Sequence, residues 1–266
     1  MELSKRLQAV ADLLDCHERI ADIGCDHGFV SIYLIESKKA SYCLAMDVNK
    51  GPLERAREHV AQKRLSTYIE TRLSDGAKAI EFVKDKDGKQ KLEVEAALIA
   101  GMGGRLAIQI IKDSLDKFTS MEEFVLQPQS EISKVREFVR SIGYHVEKEN
   151  MILEDGKFYP MMKVVRGKKS VDYTGHLPKM IAKAIEDGSL MISDIQWLFD
   201  EYGEWLLKEK NQTLLQFLQK EKTLYSDILE SLGKTDTLKS KSRKEEIQEK
   251  QRYINLGLEW FADEVQ

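Results

Sequence analysis

Arg19-Ile-Ala-Asp-Ile-Gly-Cys-Asp-His-Gly28 is the stretch whose reading decides the fold. Arg19 to Ile23 carries Ile20 and Ile23 and reads as a short buried strand. Gly24 and Gly28 open a tight turn, and Phe29 to Ile35 continues as an apolar run of helical length. Strand, glycine turn and helix together are the nucleotide-binding start of a doubly wound α/β sheet. Asp26 narrows the ligand. A dinucleotide fingerprint has glycine at that position, because the backbone must approach an anionic pyrophosphate. A carboxylate there repels a diphosphate. A ligand with a cationic group and no phosphate suits it better, and S-adenosylmethionine, with its ammonium, sulfonium and adenosine ribose, is of that kind. The acid that usually binds a ribose diol ends the second strand, about 20 residues on. Asp47 fits, ending Tyr42-Cys-Leu-Ala-Met46 and followed by Val48. The alternative is an ordinary helix-capping turn with Asp26 exposed to water.

Composition sets limits on function. The chain has 266 residues and a net charge of −4, so any nucleic-acid contact must come from a local basic patch and not from the global field. No apolar run approaches the ~20 residues of a membrane span. The start, Met-Glu-Leu-Ser-Lys-Arg-Leu, lacks the basic-then-apolar pattern of a secretion signal. Cys16, Cys25 and Cys43 are an odd number without Cys-x-x-Cys spacing, which argues against a disulfide framework and against a zinc site. The expectation is a reduced, cytoplasmic, metal-free protein that works as a monomer away from membranes.

Further along, Leu3, Leu7, Val10, Leu13 and Leu14 recur at helical spacing, and this opening helix is expected at the sheet edge or over the cofactor site. Asn49 reads as the N-cap of a helix running to about Arg64. Ser66 to Leu73 alternates as a third strand, with Asp75 and Gly76 just beyond it, where the adenine amino group of such a cofactor would point. As a helix N-cap, Asp75 has a second reading. Lys84 to Lys91 reads as a charged surface loop. Val94 to Ala100 is a near-continuous apolar run, the mark of a central parallel strand, and it ends in Ala100-Gly-Met-Gly-Gly104. Those glycines fall in the crevice where such sheets bind ligands, leaving space beside the methyl donor; a simple flexible turn is the alternative. Phe124 to Leu126 is a fifth strand, followed by Gln127, Pro128 and Gln129. The two glutamines are candidates for hydrogen bonds to a base edge, or plain polar turn residues. A helix from Ser130 stops at Gly143. Tyr144 to Leu153 and Lys157 to Val165 form a hairpin that completes a seven-stranded sheet with one antiparallel member.

Beyond Arg166-Gly-Lys-Lys169 the strand pattern stops. Apolar residues from Ile195 to Leu232 form one helical stripe, interrupted at Lys208 to Thr213, and Ile247, Ile254, Leu258 and Phe261 form another. Two antiparallel helices in a coiled-coil-like hairpin are the simplest reading. Lys239, Lys241, Arg243 and Lys244 are candidates for gripping phosphate. Glu245, Glu246 and Glu249 follow at once, so a solvated helix face is the rival reading. The boundaries expected are 1–166 for the sheet domain and 167–266 for the helical one.

Ile20-Ala-Asp-Ile-Gly-Cys-Asp-His27, Ile99-Ala-Gly-Met-Gly-Gly104 and Leu126-Gln-Pro128 resemble, in residues, order and spacing, the bacterial tRNA (adenine-22-N1)-methyltransferases. The likeness covers residues 1 to about 165 in motifs and the remainder in architecture. Where that family often has serine and alanine around the Asp-His pair, this chain has Cys25 and Gly28. The resemblance implies a Rossmann-like, seven-stranded class I methyltransferase domain, S-adenosylmethionine as donor, and a C-terminal helical domain that helps hold tRNA. Carried onto this sequence, it implies a cofactor site of Asp22, Gly24, Cys25, Asp26, Gly28, Asp47, Val48, Asp75, Gly76, Ala100 and Gly101.

The same resemblance puts Gly101, Met102, Gly103 and His27 at the reacting centre, His27 being open to a substrate contact or a structural hydrogen bond. Gln127, Pro128 and the four C-terminal cations would meet the tRNA. N1 of neutral adenine has an in-plane lone pair and no proton, so attack on a sulfonium methyl needs no general base. The Asn/Asp-Pro-Pro-aromatic loop of exocyclic-amine methyltransferases is absent, and Ala100 to Gly104 stands in its place. Other readings are a methyltransferase acting on another RNA, a protein or a small molecule, an oxidoreductase using a dinucleotide, and a non-catalytic RNA-binding or chaperone protein that kept the fold.

Overall fold

Alternating residues of the central strands face two separate apolar layers, and this builds a sheet with helices on both sides. Ile20, Cys43, Ala45, Leu98 and Val125 pack on one face with Val10, Leu34 and Val60. Their neighbours Ala21, Leu44, Ala97 and Phe124 pack on the other with Ile110, Ile111, Phe118 and Val135. The computed structural model describes residues 3–167, 177–232 and 238–262, without the side chains of 238–241. The chain divides into two compact units, Met1–Lys169 and Ser170–Gln266.

In the first unit the strands are β1 (His17–Ile23), β2 (Ala40–Asp47), β3 (Ile69–Leu73), β4 (Phe82–Lys84), β5 (Gln90–Leu92), β6 (Ala96–Met102), β7 (Glu123–Pro128), β8 (Tyr144–Glu154) and β9 (Lys157–Arg166). Seven of them form one sheet in the order β3-β2-β1-β6-β7-β9-β8. The first five run parallel, and β9 lies antiparallel to both of its neighbours. The order reverses between β1 and β6, the switch point at which open α/β sheets bind ligands beyond the strands' carboxyl ends. The flanking helices are α1 (Lys5–Leu13), α2 (Phe29–Glu36), α3 (Lys50–Gln62), α4 (Gly104–Asp113), α5 (Leu115–Phe118) and α6 (Ile132–Ser141).

Several local expectations are corrected. Lys84 to Lys91 is not a loop throughout: β4 and β5 pair antiparallel at its ends, Phe82 opposite Leu92. The third strand begins at Ile69, not Ser66. Asn49 stands at the start of α3 but makes no capping bond with its side chain. No helix follows Asp75, so it caps none. The glycine loop is partly strand, since β6 runs through Gly101 to Met102 with a register shift between Ala100 and Met102.

The helical unit contains α7 (Lys179–Glu186), α8 (Ile192–Tyr202), α9 (Glu204–Lys208), α10 (Gln212–Leu232) and α11 (Leu238–Ala262). The expected single first helix is thus divided. Asn211 begins a new helix by accepting the main-chain N–H groups of Thr213 and Leu214 on its side-chain oxygen, both at 3.0 Å. Leu214, Leu218, Ile247, Ile254 and Trp260 are buried within this unit. Trp197 stacks on Tyr253 at 3.8 Å, and Trp260 meets Phe199 edge-on at 5.5 Å. No helix among the described residues is long and apolar enough to cross a membrane.

Candidate active site

The turn after β1 is left-handed at three alternate positions: Gly24 (φ +79°), Asp26 (φ +49°) and Gly28 (φ +74°). The main-chain N–H groups of Gly24 and Cys25 both donate to the Met46 carbonyl at 2.8 Å, fastening the turn to β2. The left-handed backbone favours glycine at position 24, and a Cβ there would stand 2.1 Å from Met102 Cε, so that the flexible methionine end would have to move aside.

Asp47, at the end of β2, is 8% exposed. One carboxylate oxygen accepts the main-chain N–H of Asp26 at 3.2 Å and the other that of Asn49 at 2.8 Å. Each oxygen keeps a lone pair for a ligand. Asp22 is deeper, 4% exposed, and accepts the Ser31 hydroxyl at 2.6 Å. Burial pushes its carboxyl up to about 6, against the pull of Ser31 and with help from the Asp47 charge. Burial also raises the Cys25 thiol, so this cysteine is a neutral packing group and not a nucleophile. Asp26 is exposed, with His27 Nε2 3.5 Å from its carboxylate.

These groups face a cavity of about 510 Å³, within the usual range for small-molecule sites. It brings together Asp22, Gly24, Cys25, Asp26, His27, Asp47, Val48, Asp75, Gly76, Ala100, Gly101 and Met102. Other expected residues lie elsewhere. Gly28 packs towards Ala56 of α3, where an added Cβ would stand 3.0 Å away. Gly103 is the N-cap of α4, with Ser130 beside it. Gln127 is 1% exposed, and its oxygen accepts Arg6 Nη1 at 2.7 Å and the Gly101 N–H at 3.2 Å, so its polar end orders the wall behind the cavity. Pro128 is buried beside it, while Gln129 lines the cavity. Arg243 of α11 pairs with Glu246 and Lys244 is exposed. The side chains of Lys239 and Lys241 lie outside the described residues.

The sequence reading missed Arg6 and Leu7 of α1, Ser74, and Leu106 and Ile110 of α4, all of which line the cavity. The only signal for Arg6 was its place on a helix expected over the site. Its guanidinium also stands 5.0 Å over the Tyr159 ring. The lining therefore presents four carboxylates and one arginine. That set fits a ligand with separated cationic groups, a diol and a single carboxylate, and it opposes a diphosphate. Among the described residues no group of three or more His, Cys, Asp or Glu side chains is placed to hold a metal ion.

Comparison with known proteins agrees with this geometry. The methyltransferase domain family matches residues 3–162. The tRNA (adenine(22)-N(1))-methyltransferase of Bacillus subtilis (strain 168) is 30% identical over 258 residues, 96% of each chain. Among solved structures, Sp1610 of Streptococcus pneumoniae in complex with S-adenosyl-L-methionine is 27% identical with a TM-score of 0.74, covering 97% of this chain and 100% of that one. TrmK of M. capricolum, in complex with the cofactor product S-adenosyl-homocysteine, is 26% identical with a TM-score of 0.73, covering 98% and 100%. On the extent of these matches, the chain belongs to the family of tRNA (adenine(22)-N(1))-methyltransferases.

Proposed function

We propose that this protein transfers a methyl group from S-adenosylmethionine to N1 of adenine 22 in tRNA. The observation that carries the proposal is the cavity at the sheet's switch point, faced by Asp22, Asp26, Asp47 and Asp75, in a chain of this family. When bound, S-adenosylmethionine supplies an electrophilic methyl group on a sulfonium. Asp47 would take the ribose hydroxyls, because its oxygens are already held in place by two main-chain donors. Asp22 and Asp26 would face the ammonium end, and Arg6 its carboxylate. Val48, Leu106 and Ile110 would enclose the adenine, with Asp75 accepting from its amino group.

Gly101 leaves the wall without a side chain where the target base enters. His27, at the mouth beside the exposed Asp26, would be the contact to the target base. No residue need remove a proton, since N1 of neutral adenine carries none. Rate then rests on alignment, which is worth ~7–11 kcal/mol in well-oriented systems. The helical unit would hold tRNA through phosphate and shape. The same proposal has the enzyme working as a monomer in the cytoplasm.

Incubation with labelled S-adenosylmethionine and two tRNA transcripts, with adenosine or guanosine at position 22, tests the proposal. Label should enter only the first. Equal labelling of both would overturn it.

A further inference from the structure

Beside the mouth of the cofactor cavity lies a second cleft of about 330 Å³ between α2 and α3. Phe29 lines both. Its ring stacks on His59 with centroids 4.7 Å apart and planes 23° apart, and on His27 at 5.8 Å and 16°. His27 and His59 are 5.9 Å apart and tilted by 37° to one another, so Phe29 stacks with each histidine and joins the three rings into one cluster. His59 is anchored through Nδ1 to the His27 carbonyl at 2.9 Å. A carbonyl can only accept, so Nδ1 carries the proton and Nε2 is left to meet a ligand. Tyr33 and Leu3 also wall the cleft.

Cations stand along the same helical row. Arg55 is four residues before His59 and Lys63 four after it, so the three share a face of α3 and its end. Lys63 is held by Glu36 at 2.9 Å, both being about half exposed, and Arg55 has no ion pair among the described residues. A partly exposed aromatic stack with cations beside it can bind an unstacked nucleotide: the base extends the stack while its phosphate meets the cations.

An enzyme that methylates a ring nitrogen of a base within a folded RNA must take that base out of its stack, which leaves the neighbouring base exposed. We propose that the base next to the target adenine stacks on Phe29 and His59, with its phosphate towards Arg55 and Lys63. This rests on tRNA being the substrate, and it assigns the second cleft to a flanking nucleotide and not to the cofactor.

His59 does not line the cofactor cavity, so it separates the two sites. His59→Ala should raise the tRNA KM roughly tenfold, within the range for loss of one stacked base, and leave cofactor Kd unchanged by calorimetry. His59→Gln keeps a donor for the His27 carbonyl but has no ring, so it should behave like alanine while guarding against misfolding. His59→Phe keeps a ring without the donor and should stay near wild type. Transcripts with 2-aminopurine at position 21 or 23 report directly: one of them should be quenched on binding the wild type and less so on binding His59→Gln.

A purely structural histidine gives the opposite order, with glutamine near wild type and phenylalanine impaired, and that order would overturn the proposal. So would an unchanged KM and unchanged fluorescence in an enzyme that still methylates adenine 22, which leaves the proposed function standing. If the wild type transfers no methyl group to tRNA, the functional reading itself fails and this proposal with it.

Discussion

The main-chain N–H of Asp26 donates to the carboxylate of Asp47 at 3.2 Å, joining the turn after β1 to the end of β2. A second donor, Asn49 N–H, holds the other oxygen at 2.8 Å. The carboxylate is therefore ordered before any ligand arrives, and little side-chain freedom remains to be lost on binding.

Asp47→Ala should remove charge-assisted bonds worth about 1.5–3 kcal/mol and weaken S-adenosylmethionine roughly ten- to hundredfold. Calorimetry measures this, with circular dichroism confirming the fold. Unchanged affinity would take Asp47 out of the site.

Asp22 makes the cofactor site sensitive to pH. Its carboxyl is raised to about 6 by burial, so the cavity holds a neutral acid below that pH and a carboxylate above it. Affinity for the cationic cofactor should increase about tenfold from pH 5 to pH 7 and then level off. Stability of the free protein has the opposite sign. Between the ordinary carboxylate range and about 6, the native state holds a proton that the unfolded chain releases, so this group's contribution falls as pH rises. Asp22→Asn should bind weakly and flatten both dependences; a retained affinity slope would assign it to another group.

Gly24→Ala places a side chain where the backbone is left-handed and Met102 Cε would be 2.1 Å away. The backbone alone costs about 1–2 kcal/mol. Urea unfolding should show at least that loss, and adding Met102→Ala should recover only the part due to contact. A neutral Gly24→Ala would mean that the turn adopts another conformation.

Dividing the chain tests the roles of the two units. A protein ending at Lys169 keeps both apolar layers of the sheet and every residue lining the cofactor cavity. It should fold, bind S-adenosylmethionine with near-native affinity and methylate tRNA poorly. The full-length enzyme's tRNA affinity should fall steeply with salt. Full activity from the shortened chain would remove the tRNA-holding role from residues 170–266.

Local patterns made the first α/β unit legible, because the strand, glycine turn and helix adjoin in sequence and Asp47 follows at a fixed distance. Residues defined by distant contacts were not legible. Arg6 meets Gln127 across 121 positions, and nothing near either residue marks the pair. Gln127 reads as a polar turn residue until Arg6 and the Gly101 N–H are seen to satisfy its oxygen inside the protein. The β4–β5 pair was hidden by the charges between its two short strands, of which only Leu92 joins the apolar layer. The stripe from Ile195 to Leu232 concealed the breaks between α8, α9 and α10 because apolar spacing continues across helix ends, while the Asn211 cap depends on a side-chain bond; α7 lies ahead of that stripe.

Nucleoside mass spectrometry of tRNA after one round of reaction tests the central claim most directly, since the product reports which atom attacked. With labelled S-adenosylmethionine and an unmodified transcript, the label should appear in 1-methyladenosine, in the oligonucleotide containing position 22. Label in N6-methyladenosine formed under mild digestion, or at another position, would contradict the account.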